Sequence, residues 1–518
     1  MHLALLRSGL IVSFMTLISR VLGLVRDVVV ATLVGAGVNA DVYFFANRIP
    51  NFLRRLFAEG AFAQAFVPVL TEVKEKHGDD EVRELVAKVA GTLGVIVTFV
   101  TLLAVIASPV IVMVFGTGWF LDWMSGGPDA GKFVLAASLL KITFPYLFFI
   151  TFVALSGAVL NTYNKFAVAA FTPVFLNIAI IVCAIVFRDS FSEPAYALAT
   201  GVFVGGLIQF LFQIPFLAKA GLLVLPKWGW NDEYVKRIRL LMLPAILGVS
   251  VHQLNALVDT VIASFLVTGS ISWLYYADRL IEFPLGLFGI GIATVILPSL
   301  SKLHSNDNPM AFQHTIDWAL RFVLMLAFPA MAGLMLLGPL IIEVLYLHGK
   351  FTPDDAMHVQ WALMAYCSGL MSYMAVKVLA PGYFARQDTK TPVKIGIISM
   401  LANIVFNFML APFFGFVGLA IATAMSGTLN AVLLYRGLHQ QGVYKISRQS
   451  VIWIVKLLLA TAFMSYIVWM AHVNWPMEMT NFSHLLVKLF GLIFLAMLSY
   501  FVLLFSLGFR LRDLKSNF

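Results

Sequence analysis

The chain has 518 residues, of which 61% are hydrophobic and only 12% charged, with a mean hydropathy of +0.92 and a formal charge of +9. This excludes a soluble globular domain. The positive balance reads as the Lys and Arg bias of membrane loops, and no nucleic-acid partner is expected.

A membrane-spanning helix needs about 20 apolar residues. Fourteen segments qualify, near 10–36, 40–70, 84–116, 133–160, 166–187, 194–218, 238–267, 271–301, 315–346, 357–384, 391–411, 415–437, 450–472 and 484–508. The expected fold is therefore an all-α polytopic membrane protein of about 14 transmembrane helices. The connections are short, the largest being 71–83, 117–132, 219–237 and 302–314. The N-terminus has Arg7 followed by apolar residues, like a signal peptide. Arg20 and Asp27 interrupt the run, and no small-residue cleavage site follows, so it reads as a retained first span. Cys183 and Cys367 lie in apolar runs and suggest neither a disulfide framework nor a zinc site. With the N-terminus inside, twenty Lys and Arg fall in inside loops and three (Lys132, Arg188, Lys350) outside. That places both termini in the cytoplasm.

The chain repeats itself. Residues 43–70 (YFFANRIPNFLRRLFAEGAFAQAFVPVL) align with 273–300 (WLYYADRLIEFPLGLFGIGIATVILPSL), and 24–35 with 256–267. Arg48 falls on Arg279, Gly60 on Gly291, Pro68 on Pro298 and Asp27 on Asp259, allowing a one-residue slip. The offset covers six spans, an even number, so both halves share one orientation. This is the parallel-repeat plan of transporters. The expected division is an N-lobe over 1–230, a C-lobe over 231–442, and two additional helices over 443–518.

Charged residues interrupt several of the apolar segments: Arg20, Arg26 and Asp27; Arg48, Arg54, Arg55 and Glu59; Asp278, Arg279 and Glu282. A charge at the bilayer centre costs about 2.5–3.5 kcal/mol on insertion scales, so it faces a partner or a wet cavity. Arg20 and Asp27, seven apart, share a helix face, with Arg26 about 120° away on an ideal helix. Arg55 and Glu59 form an i,i+4 pair, and Arg279 reaches Glu282 at i,i+3. Pro50 is expected to kink the second span. Arginine suits a diphosphate because it stays charged and offers a fork of donors. The bland alternative is that these groups only neutralise one another. Asp259, Asn403, Asn407 and Thr423 are a candidate site for a monovalent cation or a proton, against interhelical hydrogen bonding as the alternative. Lys141 and Lys377 read as snorkelling side chains. There is no phosphate-binding G-x-x-x-x-G-K-[ST] loop, so ATP does not drive the protein directly. No catalytic constellation appears, and no enzyme activity is expected.

SRVLGLVRD (19–27), NFLRRLFAEGAFAQAFVPVL (51–70), YYADRLIEFPLGLFGIGIATVILPSLS (275–301) and VKVLAPGYFARQDTKTPVKI (376–395) resemble the bacterial lipid II flippases of the MurJ (MviN) family. That family belongs to the multidrug/oligosaccharidyl-lipid/polysaccharide exporter superfamily. The resemblance covers essentially the whole chain. It implies a transporter that moves the undecaprenyl-diphosphate-linked peptidoglycan precursor from the cytoplasmic to the outer leaflet of the bacterial inner membrane by alternating access. By the same resemblance the substrate-binding set is Ser19, Arg20, Arg26, Asp27, Asp41, Arg54, Arg55, Glu59, Asp278, Arg279 and Glu282. It also makes Asp259, Asn403, Asn407 and Thr423 the nearest match to a sodium site, although a carboxylate would be expected where Asn407 stands. No cofactor is implied; sodium, protons or the membrane potential would supply the drive. The implied partners are lipid II, membrane lipids and other cell-wall synthesis proteins. The rival readings are a MATE-like exporter, which would carry an acid-dominated rather than arginine-rich chamber, and a flippase for another lipid-linked oligosaccharide.

Overall fold

The computed structural model describes residues 2–56, 62–475 and 481–510. Among the described residues all regular structure is helical. The chain forms two compact units, Met1–Ser272 with Gly349–Phe351, and Trp273–His348 with Thr352–Phe518.

The first unit contains α1 (His2–Val34), α2 (Val38–Leu53), α3 (Phe62–His77), α4 (Asp79–Ile106), α5 (Ser108–Phe115), α6 (Thr117–Ser125), α7 (Ala130–Thr143), α8 (Tyr146–Thr162), α9 (Phe166–Phe171), α10 (Pro173–Val186), α11 (Pro194–Lys219) and α12 (Glu233–Ala263). Helix α13 (Ser270–Pro284) starts at its end. The second unit continues with α14 (Ile290–Ser305), α15 (Pro309–Tyr346), α16 (Pro353–Cys367), α17 (Leu370–Phe384), α18 (Lys390–Phe414), α19 (Phe416–Gln440), α20 (Arg448–Val473) and α21 (Phe482–Ser506).

Each of the fourteen apolar segments coincides with one helix or with helices in tandem. Among the described residues, ten helical stretches are long and apolar enough to cross a membrane. The segments outside that group are α1, α2–α3, α12 and α13–α14, which are the ones that carry the charges. The expected connections 71–83, 117–132 and 302–314 are largely helical, because α3, α6 and α15 run into them. Only 219–237 keeps a long extended stretch.

The sequence repeat has a counterpart in local structure. Helix α2 has 16 residues and α13 has 15, and each is followed by π-helical residues: 54–56, where the described residues pause, after α2, and Leu285–Gly289 after α13. The aligned helices α3 and α14 then have 16 residues each, with Pro68 and Pro298 in matching places. A π turn adds one residue to the helical circuit and leaves a wider, less regular stretch.

Proline inside a helix removes one N–H and orphans the carbonyl four residues earlier. In hydrocarbon such a carbonyl has no water to turn to. Pro50 orphans Ala46 O, and the Thr143 hydroxyl of α7 donates to it at 3.1 Å. Pro329 orphans Met325 O, and the Tyr500 hydroxyl of α21 donates to it at 2.7 Å. Pro339 orphans Met335 O, and the Gln360 side chain of α16 donates to it at 3.2 Å. Three helix breaks thus become three fixed helix–helix contacts.

Helices α20 and α21 pack on α15 through an apolar interface that includes Met325, Phe328, Leu457, Met464, Leu492 and Leu504. A polar knot holds one end. The buried Asp317 of α15 accepts from Tyr444 (2.8 Å), Ser447 (3.0 Å) and Ser450 (2.8 Å) and pairs with Arg321 at 3.1 Å. The residues that surround this carboxylate begin α20, so the knot fixes where the additional helices start.

The start of α12 is tied to α3 and α4. Glu72 accepts from Arg237 at 2.6 Å and from Lys76 at 2.9 Å. Those two hydrogen bonds, Arg237 foremost, hold its carboxyl at about 2, well below the ordinary 4.5. Asp232 caps α12 through the N–H groups of Tyr234 and Val235. Burial pushes its pKa up, but the 2.7 Å hydrogen bond from Lys88 and the capping N–H groups outweigh that and leave it lowered.

Two predictions follow from these contacts. Tyr500→Phe should destabilise the solubilised protein by about 1–3 kcal/mol, the cost of stranding a buried acceptor. In a Pro329→Ala background, where the backbone N–H returns, the same change should cost clearly less; a double-mutant cycle read by thermal unfolding checks this. Because the Glu72 pKa is lowered on folding, its contribution is complete above about pH 4.5 and fades as the pH falls towards 2. The unfolding temperature of Glu72→Gln should therefore fall less between pH 5 and pH 3 than that of the unaltered chain.

Candidate functional site: the charged helices

In the first unit, Arg26 and Asp27 of α1 bond directly. The Arg26 Nε and Nη2 atoms donate to Asp27 Oδ1 at 3.1 and 2.9 Å, and Nη1 donates to Asn177 Oδ1 of α10 at 3.0 Å. Asn177 in turn donates to the backbone oxygen of Ser19 at 3.2 Å. Asp27 is 1% exposed. Ser19, Arg26, Asp27 and Asn177 thus form one connected group between α1 and α10. Helical angles alone place Arg20 with Asp27 and Arg26 apart. Instead, the long Arg26 side chain folds round to its neighbour's carboxylate, while Arg20 stands exposed.

In α2, the half-buried Arg54 donates from Nε to Asn51 Oδ1 at 2.7 Å. Arg55 next to it is exposed. Both arginines are π-helical residues, and that geometry sends consecutive side chains to different surroundings. Glu59, and with it the expected pair with Arg55, lies outside the described residues. Arg48 donates to the Thr260 hydroxyl of α12 at 2.7 Å and to Ala256 O at 3.4 Å.

Asp41, at the start of α2, is 2% exposed. Its carboxylate accepts from the Gly269 N–H at 2.7 Å, the Ser272 N–H at 3.0 Å and the Ser272 hydroxyl at 2.6 Å. These donors form the N-terminus of α13, where unsatisfied N–H groups and the helix dipole favour an anion. Asp41 therefore holds the start of α13 in place. Buried Lys132 braces the same loop through Thr268 at 2.8 Å and pairs with Asp129 at 3.0 Å.

In the second unit, Arg279 donates to Glu282 at 2.6 Å, one helical turn apart as the i,i+3 spacing allows, and Asp278 is exposed. Asn403 and Asn407 of α18 are buried at 1% and 0% exposure. The Thr423 hydroxyl of α19 donates to Leu419 O at 2.9 Å in its own helix. Asp259 belongs to the first unit, half-buried beside Thr260. No group of three or more His, Cys, Asp or Glu is arranged to hold a metal among the described residues. Lys141 is exposed, Lys377 is half-buried, and the Cys183 and Cys367 thiols are free and buried.

The sequence reading missed Asn177, Thr260 and Ser272, the partners of its own candidates. Each is a single small polar residue in an apolar run, a pattern shared with many residues that only back-bond to their own helix.

The family model described as "Lipid II flippase MurJ" matches residues 30–490. The chain belongs to the lipid II flippase MurJ family. It is 60% identical to the probable lipid II flippase MurJ of Vibrio cholerae, over 99% of this chain and 98% of that one. It is 56% identical to that of Haemophilus influenzae, over 97% and 100%. Among solved structures it is similar to a lipid II flippase MurJ in an inward closed conformation, with a TM-score of 0.79 and 29% identity over 95% of this chain and 98% of that one. An inward-facing MATE multidrug transporter matches with a TM-score of 0.66 at 14% identity, over 82% and 94%, a likeness of fold alone. The MurJ-family chain is thus a multi-pass membrane protein.

Asp41→Ala would leave three donors of the α13 start buried without an acceptor. It should cost about 1–3 kcal/mol for each donor left stranded. Asp41→Asn, which keeps an acceptor oxygen, should cost less. Thermal unfolding of the solubilised variants checks the order; equal unfolding temperatures for all three chains would refute the assignment.

Proposed function

We propose that this chain carries the undecaprenyl-diphosphate-linked peptidoglycan precursor, lipid II, from the cytoplasmic to the outer leaflet of the bacterial inner membrane. The observation that carries the reading is likeness to lipid II flippases along almost the full chain, at 60% identity in one case, together with arginines set in its membrane helices. The MATE-like exporter is the weaker reading, since that likeness stays at the level of fold.

The chemistry is consistent with this. The precursor joins a charged diphosphate and a large polar head to a long apolar tail. The head cannot enter hydrocarbon without replacements for its lost water. Arginines supply charge that does not titrate and several donors in a fixed plane. Arg20, Arg54, Arg55 and Arg279 would bind the diphosphate. Arg26, already held by Asp27 and Asn177, would present its charge in a fixed place. Ser19, Asp27, Asp41, Glu59, Asp278 and Glu282 would orient those groups. The lobes over 1–230 and 231–442 would alternate access, with both termini cytoplasmic, and helices α20 and α21 would accommodate the tail. Sodium or protons at Asp259, Asn403, Asn407 and Thr423, or the membrane potential, would drive the cycle. Other cell-wall synthesis proteins would receive the product.

Head-group translocation by the purified protein in vesicles, with and without a membrane potential, tests the reading; absence of translocation under both conditions would overturn it. Alanine at Arg20, Arg54 or Arg279 should abolish support of cell-wall growth while membrane abundance stays near normal; Arg26→Ala should abolish it too, with a loss of stability because it strands the buried Asp27. Arg26→Lys should fail as badly as alanine, because one ammonium cannot bond Asp27 and Asn177 through three separate nitrogens. Normal growth of all four alanine variants would refute the arginine site.

A further inference from the structure

The extended stretch between α11 and α12 is fastened along α4. Arg83 donates to Gly221 O at 2.7 Å, the Lys227 N–H donates to Ala87 O at 2.8 Å, and the Gly229 N–H donates to the Thr92 hydroxyl at 3.0 Å. The fit is close enough that a Cβ on Gly91 would lie 2.0 Å from Lys227 O, so no other residue fits there. Lys227 also reaches Glu84 at 3.1 Å.

Within this strap only Leu222 and Gly229 are buried, and 225–228 are exposed in a row. Leu222 is buried, whereas Leu225 is 84% and Trp228 59% exposed, with Leu223 and Trp230 exposed beside them. Trp228 and Trp230 stack at 6.2 Å, and the Arg239 guanidinium lies 3.7 Å over the Trp230 ring and donates to Trp230 O. An apolar row held this firmly has no way to fold inward, so it calls for a covering.

Its height along α4 identifies the covering. The strap is bonded to residues 87–92. On one side lie the charged Asp79, Asp80, Glu81, Arg83 and Glu84. On the other lie the exposed apolar Val95 and Phe99. At 1.5 Å per residue the strap sits about one to two turns from each zone. That is the membrane–water boundary, where tryptophan is favoured. Of the acids nearby, Glu84 pairs with Lys227, Asp232 with Lys88 and Glu72 with Arg237, while Glu81 and Glu233 form no ion pair among the described residues. Lys219, Lys236 and Arg239 have no carboxylate partner among the described residues.

We infer that residues 222–230, with Lys219, Lys236 and Arg239, form an interfacial anchor that docks on anionic phospholipid headgroups. Leu225 and Trp228 enter the acyl boundary while the cations meet phosphates. Because α12 begins at Glu233, directly after the strap, the anchor sets the height of that helix in the bilayer.

The test places a nitroxide at Leu225→Cys in a chain with Cys183→Ala and Cys367→Ala, reconstituted in vesicles of phosphatidylcholine with or without phosphatidylglycerol. Collisions with oxygen should exceed those with a water-soluble nickel chelate, more so with phosphatidylglycerol. Lys236→Gln with Arg239→Gln should remove the lipid dependence, and Trp228→Ser with Trp230→Ser should return the label to water. A label open to nickel in both vesicle types would overturn the inference, as would a depth unaffected by any of these changes. If the cysteine-free chain does not fold, quenching of native tryptophan fluorescence by brominated phosphatidylglycerol serves instead. Trp228→Phe with Trp230→Phe should then remove a quenchable component; equal fractional quenching in both chains would overturn the inference.

Discussion

A backbone carbonyl without a hydrogen bond is costly in water-free surroundings, and the fold answers that constraint repeatedly. Every proline inside a membrane helix creates one such carbonyl. At Pro50, Pro329 and Pro339 the vacancy is filled by a side chain from another helix, Thr143, Tyr500 and Gln360. These contacts are specific where apolar packing is not. Lipid tails compete with leucine for a leucine surface, but they offer no donor to an orphaned oxygen. The kinks therefore decide which helices are neighbours.

The same logic governs the charges. Arg26 is matched by Asp27 and Asn177, Lys132 by Asp129 and Thr268, Asp317 by three hydroxyls and Arg321, and Asp41 by the first donors of α13. Each buried charge thus serves as a joint between segments distant in sequence. Arg20 and Arg55 differ in being exposed.

Much of this was legible in the sequence, for reasons that can be stated. Apolar runs of membrane length mark helices because no other structure is open to them in lipid. The repeat was visible through its charged, glycine and proline positions, and it reappears in the π-helical residues at 54–56 and Leu285–Gly289. Pairing between distant segments was not legible. Nothing in the spacing of Arg26 says that Asn177 will meet it, or in that of Asp317 that Tyr444, Ser447 and Ser450 will close around it. Helix breaks were also hidden: α8 and α17 each continue a segment that reads as one span. The strap after α11 reads as a plain connection, because nothing in its few residues shows that α4 will hold them.

The link from Tyr500 to Met325 spans 175 residues. A ribosome adding about 5–20 residues per second needs on the order of ten to thirty seconds to cover that distance. Helix α15 therefore enters the bilayer long before the hydroxyl that completes it exists. During that interval its bend has no fixed partner, and the segment can sample several tilts or recruit a temporary donor from the insertion machinery. The contact that closes the gap left by Pro329 is therefore among the later ones available to the second unit, made only once α21 has been synthesised.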